Sequence, residues 1–223
     1  MIITIDGGAG TGKTTVAQRV AARLGFLYFD TGALYRSFAW WSSKQDVDSN
    51  DLPGLLNLFA TFEWSIDASG QERHYRVSGV DITDEIRSRK ITELSSHIAA
   101  FPQIREALLK TQRDFGASGN VVFEGRDLGT VVFPMAEIKI FLTADPVIRA
   151  QRRLAEMQRR HLSEPAQLSE ELVLEEMKKR DLADTMREVA PLRPPEGAHF
   201  IDTTHLTIDA VVDAIVAYVQ EKR

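Results

Sequence analysis

The 223-residue chain contains no cysteine, which excludes disulfide bonds and cysteine-ligated zinc and fits a reducing compartment. No apolar run approaches the length of a membrane span, and an apolar strand pattern begins at Ile2, so we expect neither a membrane segment nor a signal peptide. The net charge of −5 argues against a general nucleic-acid-binding surface. Internal repeats and low-complexity tracts are also missing. We therefore expect a cytoplasmic globular protein that binds neither nucleic acid nor membrane, and a monomer, because no large exposed apolar stripe is evident.

A glycine-rich loop near the start is the most informative feature present. It matches the pattern G-x-x-x-x-G-K-[ST] and consists of Gly7, Gly8, Ala9, Gly10, Thr11, Gly12, Lys13 and Thr14. The apolar run Ile2–Ile5 precedes it, and a helical pattern with Gly25 as a C-terminal cap follows. Such a loop turns backbone N–H groups toward one anion, while its lysine reaches the outer phosphates and its hydroxyl can ligate Mg²⁺. The motif in this context predicts binding of a nucleoside triphosphate.

Apolar runs alternate with helical patterns along the chain, which predicts an α/β fold with a parallel sheet. The C-terminal segment from Thr207 predicts an amphipathic helix with Thr207 as its N-cap. The predicted core strands are Ile2–Ile5, Leu27–Phe29, Val121–Phe123, Ile138–Leu142 and Phe200–Ile201.

Two stretches depart from this alternation. Residues Thr61–Arg87 alternate polar with apolar side chains around a turn at Ala68–Gly70, which predicts a small antiparallel hairpin unit inserted in the core. Residues Arg149–Arg193 are crowded with charge and poor in large apolar side chains. Composition alone favours a solvated helix face there, with a mobile cover over a phosphate site as the alternative.

Polar and glycine-rich segments follow two of the predicted strands. Ligands bind at the carboxyl ends of the strands in doubly wound sheets, so the segments Asp30–Arg36 and Glu124–Thr130 are expected to face the site. Simpler interpretations exist, namely helix capping by Asp30 or Thr31 and a turn with a surface ion pair. A further helix is predicted to start with Pro102 in its first turn.

The chain resembles the bacterial cytidylate kinases (CMP/dCMP kinases of type 1, P-loop nucleoside monophosphate kinases) over nearly its whole length. The two segments after the strands are together highly specific for this resemblance, whereas the phosphate loop by itself is not. The motifs that carry it are Ile5–Gly7, the phosphate loop, Leu27–Arg36, Val80–Thr83, Ala99–Pro102, Gly125–Pro134 and Val189–Leu192.

The resemblance implies a P-loop NTPase fold, with a parallel sheet flanked by helices, a small antiparallel β-containing insert that binds the monophosphate, and a helical lid. It implies a single kinase unit with a core of residues 1–36, 97–148 and 188–223, an insert of about 37–96 and a lid of about 149–187. For this segment, the resemblance therefore favours a lid over the solvated helix face that composition alone favours. The implied activity is transfer of the γ-phosphoryl group of ATP to CMP or dCMP, giving CDP or dCDP and ADP.

The candidate site residues, most of them carried over from the resemblance, fall into four sets. Lys13, Arg126, Arg180 and Arg187 are implied to act in catalysis, and Gly7 through Thr15 to bind ATP. Thr14 is the one direct Mg²⁺ ligand implied, with Glu124 as a weaker candidate for holding a metal-bound water. The residues implied to bind CMP are Thr31, Tyr35, Arg36, Ser96, Arg105, Arg126, Asp127, Arg180, Asp184 and Arg187.

Two positions depart from the family pattern. Gly8 stands where proline is common and adds backbone freedom to the loop. Thr31 stands where serine is also found and adds a methyl group near the sugar. A buried carboxylate such as Asp127 accepts a hydrogen bond from the cytosine amino group and repels the uracil carbonyl. We therefore expect Asp127 and Arg105 to disfavour UMP.

Three alternative functions remain open from the sequence alone. The chain could phosphorylate UMP, AMP or a non-nucleotide acid, or it could be a nucleotide-dependent switch with little turnover. An RNA-binding role is disfavoured by the net charge and by the lack of an aromatic and basic platform.

Overall fold

The five predicted core strands form one parallel sheet in the computed structural model, which describes residues 1–67, 73–159 and 169–223. Each strand extends one or two residues beyond its predicted C-terminal end. The strands are β1 (Ile2–Gly7), β2 (Leu27–Asp30), β6 (Val121–Gly125), β7 (Ile138–Thr143) and β8 (His199–Asp202), in the order β2-β6-β1-β7-β8. The central position of β1, between β6 and β7, explains why its residues are buried on both faces.

The chain divides into two compact units. The first combines Met1–Asp30 with Gln112–Arg223 and contains the parallel sheet, and the second is Thr31–Thr111. These boundaries differ in position from the predicted insert of about 37–96.

Helices flank the parallel sheet of the first unit, as predicted. They are α1 (Lys13–Leu24), the end of α5 (Pro102–Ala117) and α8 (Ile208–Glu221). Helices α6 (Pro146–Arg159) and α7 (Glu170–Met186) pack against each other in a separate apolar cluster. Helix α1 ends at Gly25, whose left-handed φ of 66° lets its N–H reach the carbonyl oxygen of Ala21. Helix α8 begins after Thr207, whose hydroxyl accepts a hydrogen bond from the N–H of Ala210 at 3.2 Å. Both predicted caps are confirmed.

The core of the first unit lies between β1, β7 and the helices α1 and α8. Val16 and Val20 of α1 and Val212 and Ile215 of α8 pack with Ile5 in one cluster of fully or almost fully buried side chains. Burial of this apolar surface holds the start of α1 against the end of β1, and therefore fixes the loop between them.

The second unit contains an antiparallel sheet of three strands, which confirms the predicted hairpin unit. The strands are β3 (Trp64–Asp67), β4 (His74–Val77) and β5 (Val80–Asp81), and the helices are α2 (Thr31–Lys44), α3 (Leu52–Leu58) and α4 (Arg89–Ile98). The rings of Trp64 and Tyr75 stack across β3 and β4 at 6.3 Å. The predicted turn at Ala68–Gly70 lies outside the described residues. Sequence reasoning missed β5, because two exposed residues carry no alternating pattern.

Candidate active site

The phosphate loop joins the end of β1 to the start of α1. Gly10 and Gly12 have φ values of 72° and 90°, a region that side-chain-bearing residues rarely adopt. Gly12 lies at the N-cap of α1 and gives no side-chain cap, so the first turn of this 12-residue helix keeps backbone N–H groups for another acceptor. The loop and the helix N-terminus therefore present the donors that an anion requires.

Lys13 is buried beside this loop, and its Nζ donates a hydrogen bond to the carbonyl oxygen of Gly8 at 2.6 Å. Burial, together with the nearby guanidinium groups of Arg126 and Arg180, lowers the pKa of Lys13 to about 7, against the opposing charge of Glu124. The lysine thus lies among other cations, and a phosphate group there would relieve their mutual repulsion.

Thr14 contacts a buried carboxylate at the end of β6. Its hydroxyl donates to Oε2 of Glu124 at 3.0 Å, and the hydroxyl of Tyr28 donates to Oε1 of the same group. Burial, together with the negative charge of Asp30, raises the pKa of Glu124 to about 7. A threonine hydroxyl with two carboxylates nearby is an oxygen donor set that fits Mg²⁺, which keeps several of its own waters. In the described ranges no group of three or more His, Cys, Asp or Glu side chains could hold a metal ion by itself.

Arg126, Asp127, Asp184 and Arg187 form an arginine–aspartate cluster next to the phosphate loop. Arg126 donates from Nε to Asp184 at 2.9 Å and from Nη1 to the carbonyl oxygen of Gly7 at 2.8 Å. Arg187 lies 3.6 Å from Asp184 and 3.7 Å from Asp127. Burial opposes ionisation of Asp184, but the charges of Arg126, Arg180 and Arg187 outweigh it and hold the pKa of this carboxyl below its usual range. The structure thus brings together predicted site residues that are far apart in sequence.

The predicted site residues of the second unit occur on α2, α4 and α5. The guanidinium of Arg105 lies 5.5 Å from the centre of the Tyr35 ring and donates to the carbonyl oxygen of Ala99 at 3.2 Å. Thr31 is buried at the start of α2, and Arg36 lies five residues further along the same helix. The hydroxyl of Ser96 donates to the carbonyl oxygen of Thr92 within its own helix at 3.2 Å. The structure thus brings Tyr35 and Arg105 together.

Sequence reasoning missed an ion pair that contacts the phosphate loop. Asp181 accepts a hydrogen bond from the N–H of Ala9 at 3.2 Å, and Arg149 donates to the carbonyl oxygen of Ala9 at 3.1 Å and to Asp181. A Cβ atom on Gly8 would lie 3.1 Å from Nη1 of Arg149 and 3.2 Å from Oδ2 of Asp181. The charge run that contains both residues is visible in the sequence, but their partners are not.

A second missed residue is Asp6, whose side chain is fully buried at the end of β1. Its two carboxylate oxygens accept hydrogen bonds from the N–H groups of Leu128 and Gly129 at 2.9 and 2.8 Å. A carboxylate at the end of an otherwise apolar strand was the available signal, and the motif Ile5–Gly7 contains it without giving it a role.

Comparison with known proteins identifies the relatives of this chain. The family model for cytidylate kinase matches residues 3–221. The cytidylate kinase of Protochlamydia amoebophila (strain UWE25) is 44% identical over 218 residues, covering 98% of this chain and 96% of that protein. The cytidylate kinase of Pelotomaculum thermopropionicum is 44% identical over 223 residues, covering 99% and 96%.

A solved structure supports the fold alone. A gluconokinase from Sinorhizobium meliloti 1021 superimposes with a TM-score of 0.50 at 13% identity, covering 98% of this chain and 91% of that one. No helix among the described residues is long and apolar enough to cross a membrane. The family match over almost the full length, together with the close relatives, shows that the chain belongs to the cytidylate kinase family.

Proposed function

We propose that the chain is a nucleoside monophosphate kinase that transfers the γ-phosphoryl group of ATP to CMP or dCMP, giving CDP or dCDP and ADP. The observation that carries this proposal is the position of Arg126, which contacts both Gly7 of the phosphate loop and Asp184 of the arginine–aspartate cluster. One arginine therefore joins the proposed donor site to groups suited to a second phosphate.

On the donor side, residues Gly7 through Thr15 bind the phosphates of ATP, and Lys13 turns from the Gly8 carbonyl oxygen to the β and γ phosphates. Thr14 would hold Mg²⁺ together with ATP by direct contact, and Glu124 would help to hold it through a water. When bound, the ion neutralises charge on the β and γ phosphates. The burial of Lys13 and the cations around it support this assignment, because the negative charge of a triphosphate would balance these neighbouring positive charges.

On the acceptor side, Arg36, Arg126, Arg180 and Arg187 bind the monophosphate and the transferring group. A phosphate oxygen of CMP forms a bond to the γ-phosphorus of ATP, the bond from that phosphorus to the bridging oxygen breaks, and ADP leaves with the electron pair. The acceptor phosphate loses its second proton near pH ~6, so it is already a dianion at neutral pH and needs no general base. The residues proposed to hold the base and sugar are Thr31, Tyr35, Ser96, Arg105, Asp127 and Asp184.

Charge repulsion between the two phosphates is the main barrier that these residues reduce. Arginine suits the task, since its planar fork binds two oxygens and stays charged. Helices α6 and α7 form the proposed lid of residues 149–187, and their contacts with the phosphate loop through Arg149 and Asp181 support that assignment. The cytoplasmic location and monomeric state stay predictions from the sequence.

The experiment that tests the function is a coupled assay of ADP release at fixed ATP and Mg²⁺ with CMP, dCMP, UMP, AMP and GMP as acceptors. We expect CMP and dCMP to stimulate ADP release far more than the other three. Equal or greater stimulation by AMP, GMP or UMP would identify a different kinase. ATP binding without any acceptor-dependent ADP formation would identify a nucleotide-dependent switch.

A further inference from the structure

The fully buried Asp6 carboxylate binds the backbone directly after Asp127. Its oxygens accept from the N–H groups of Leu128 and Gly129, the first two residues of a π-helical turn that spans Leu128–Val132. The first N–H groups of a helical turn have no partner within the turn and need an acceptor from elsewhere. Asp6 supplies that acceptor from a neighbouring strand.

Asp127 occupies the N-cap position of this turn, where an aspartate ordinarily accepts from the turn's own N–H groups. In this structure it makes no side-chain cap hydrogen bond, and its carboxylate lies 3.7 Å from Arg187 instead. Because Asp6 already accepts from the first two N–H groups of the turn, the Asp127 carboxylate is not needed as their acceptor.

The same strand end holds the neighbouring arginine. Asp6 pairs with Gly125 in the register of β1 and β6, and the carbonyl oxygen of Gly7 accepts from Nη1 of Arg126. Residues 6 and 7 therefore fix the segment 126–129 through three hydrogen bonds, which leave Arg126 and Asp127 facing Asp184 and Arg187.

We propose that Asp6 is a positioning residue for the acceptor nucleotide, which caps the turn at Leu128 and so leaves the Asp127 carboxylate outside the cap and next to Arg187, where it recognises the base. This inference rests on the proposed function. Asp6 does not touch substrate, and its effect passes through Asp127.

The energetic cost of this carboxylate supports a role beyond packing. Burial raises the pKa of Asp6 to about 6, and the charge of Asp127 adds to the effect, against the two backbone hydrogen bonds. Replacing a buried charge by an apolar side chain of similar size is often neutral or stabilising, so packing alone does not account for an aspartate here.

The test compares Asp6→Asn with Thr4→Val. Thr4 lies two residues earlier on the same face of β1, is fully buried, and has no hydrogen-bond partner for Oγ1 within the described part of the chain. A Cβ atom on Gly129 would lie 3.1 Å from this oxygen, so Thr4 packs against the same turn without capping it. Thr4→Val is therefore a matched control for altered packing.

In Asp6→Asn, an amide N–H₂ replaces one of the two acceptors. We expect kcat/KM for CMP to fall about ten- to a hundredfold, the ratio of kcat/KM for CMP over UMP to fall with it, and ATP binding without acceptor to change less than about threefold. Thr4→Val should retain the wild-type ratio. In an Asp127→Ala background, Asp6→Asn should cause no further change in the ratio, since the two residues act through one contact.

An unchanged CMP-over-UMP ratio in folded Asp6→Asn, or an equal loss of ATP binding, would overturn the positioning role. If Asp6→Asn does not fold, Asp6→Ser provides the same comparison, because it retains one acceptor without the charge. A wild-type chain that releases no ADP with CMP contradicts the proposed function instead, so the two failures are distinguishable.

Discussion

The carboxylate of Asp181 accepts a hydrogen bond from the backbone N–H of Ala9 at 3.2 Å, inside the phosphate loop. A carboxylate oxygen on α7 thus takes a donor that a phosphate oxygen of ATP would use. Arg149 pairs with this carboxylate and partly neutralises it. The same guanidinium also donates to the carbonyl oxygen of Ala9, so it keeps the carboxylate at the loop. If ATP binds the loop as proposed, it displaces Asp181 from this N–H group.

Removing the charge of Asp181 should therefore strengthen ATP binding. We expect Asp181→Asn to lower the dissociation constant for ATP about three- to tenfold, because the competing anion is lost and Arg149 gains free positive charge. Titration calorimetry with ATP and no acceptor measures this. Glu175→Gln, an exposed charge change on the same helix, is the control and should have no effect. Weaker ATP binding in Asp181→Asn would contradict the competition.

Gly8 gives the Arg149–Asp181 pair room to approach the loop. The Cβ atom of Gly8→Ala would come within 3.1 Å of Arg149 and 3.2 Å of Asp181, which is too tight unless the pair shifts by a few tenths of an ångström. We expect this variant to tighten ATP binding in the same direction as Asp181→Asn. The double variant should show less than the sum of the two effects, and full additivity in calorimetry would argue that Gly8 acts elsewhere.

Arg187 contacts both carboxylates of the arginine–aspartate cluster and is proposed to bind the transferring phosphoryl group. Arg187→Ala should reduce kcat by about a hundredfold or more while ATP affinity changes little, since the charge is needed mainly as the phosphates approach each other. Steady-state kinetics with both substrates varied will separate the two parameters. Arg193→Ala, at an exposed position nearby in sequence, is the control. A change in KM alone would show that Arg187 does not stabilise the transition state.

The buried Asp6 predicts a pH-dependent stability. Its pKa is raised from an ordinary value of 3.8 to about 6, so the folded state binds the proton more tightly than the unfolded state. Stability from this group is present below pH 3.8 and is lost as the pH rises through 6. Relative to Asp6→Asn, the wild-type chain should lose about 2 kcal/mol of unfolding free energy between pH 4 and 7. Urea denaturation at both pH values measures this difference, and a difference that stays constant or grows in the wild type's favour would contradict the assignment.

Local patterns in the sequence were sufficient for the main elements of the fold. The strands β1, β6 and β7 contain short apolar runs, and α8 has an apolar face and a threonine cap, so their positions could be predicted from nearby residues alone. The two-residue strand β5 depends on pairing with β4 and could not be read from its own residues.

Contacts between distant residues are what the sequence could not supply. Arg126 and Asp184 meet across 58 positions, and Asp6 reaches the turn at Leu128 across 122 positions. The resemblance to a family named Arg126 and Asp184 as site residues, but only the fold shows that they touch. The role of Asp6 and the pairing of Arg149 with Asp181 required the three-dimensional arrangement.

The most direct measurement is kcat/KM for CMP and for UMP, in the wild-type chain and in Asp127→Ala, by coupled ADP release. The account predicts that the wild type favours CMP at least tenfold and that Asp127→Ala loses most of this preference, because the group that accepts from the cytosine amino donor is gone. An absence of CMP-dependent ADP formation in the wild type, or a preference that survives unchanged in Asp127→Ala, would contradict it.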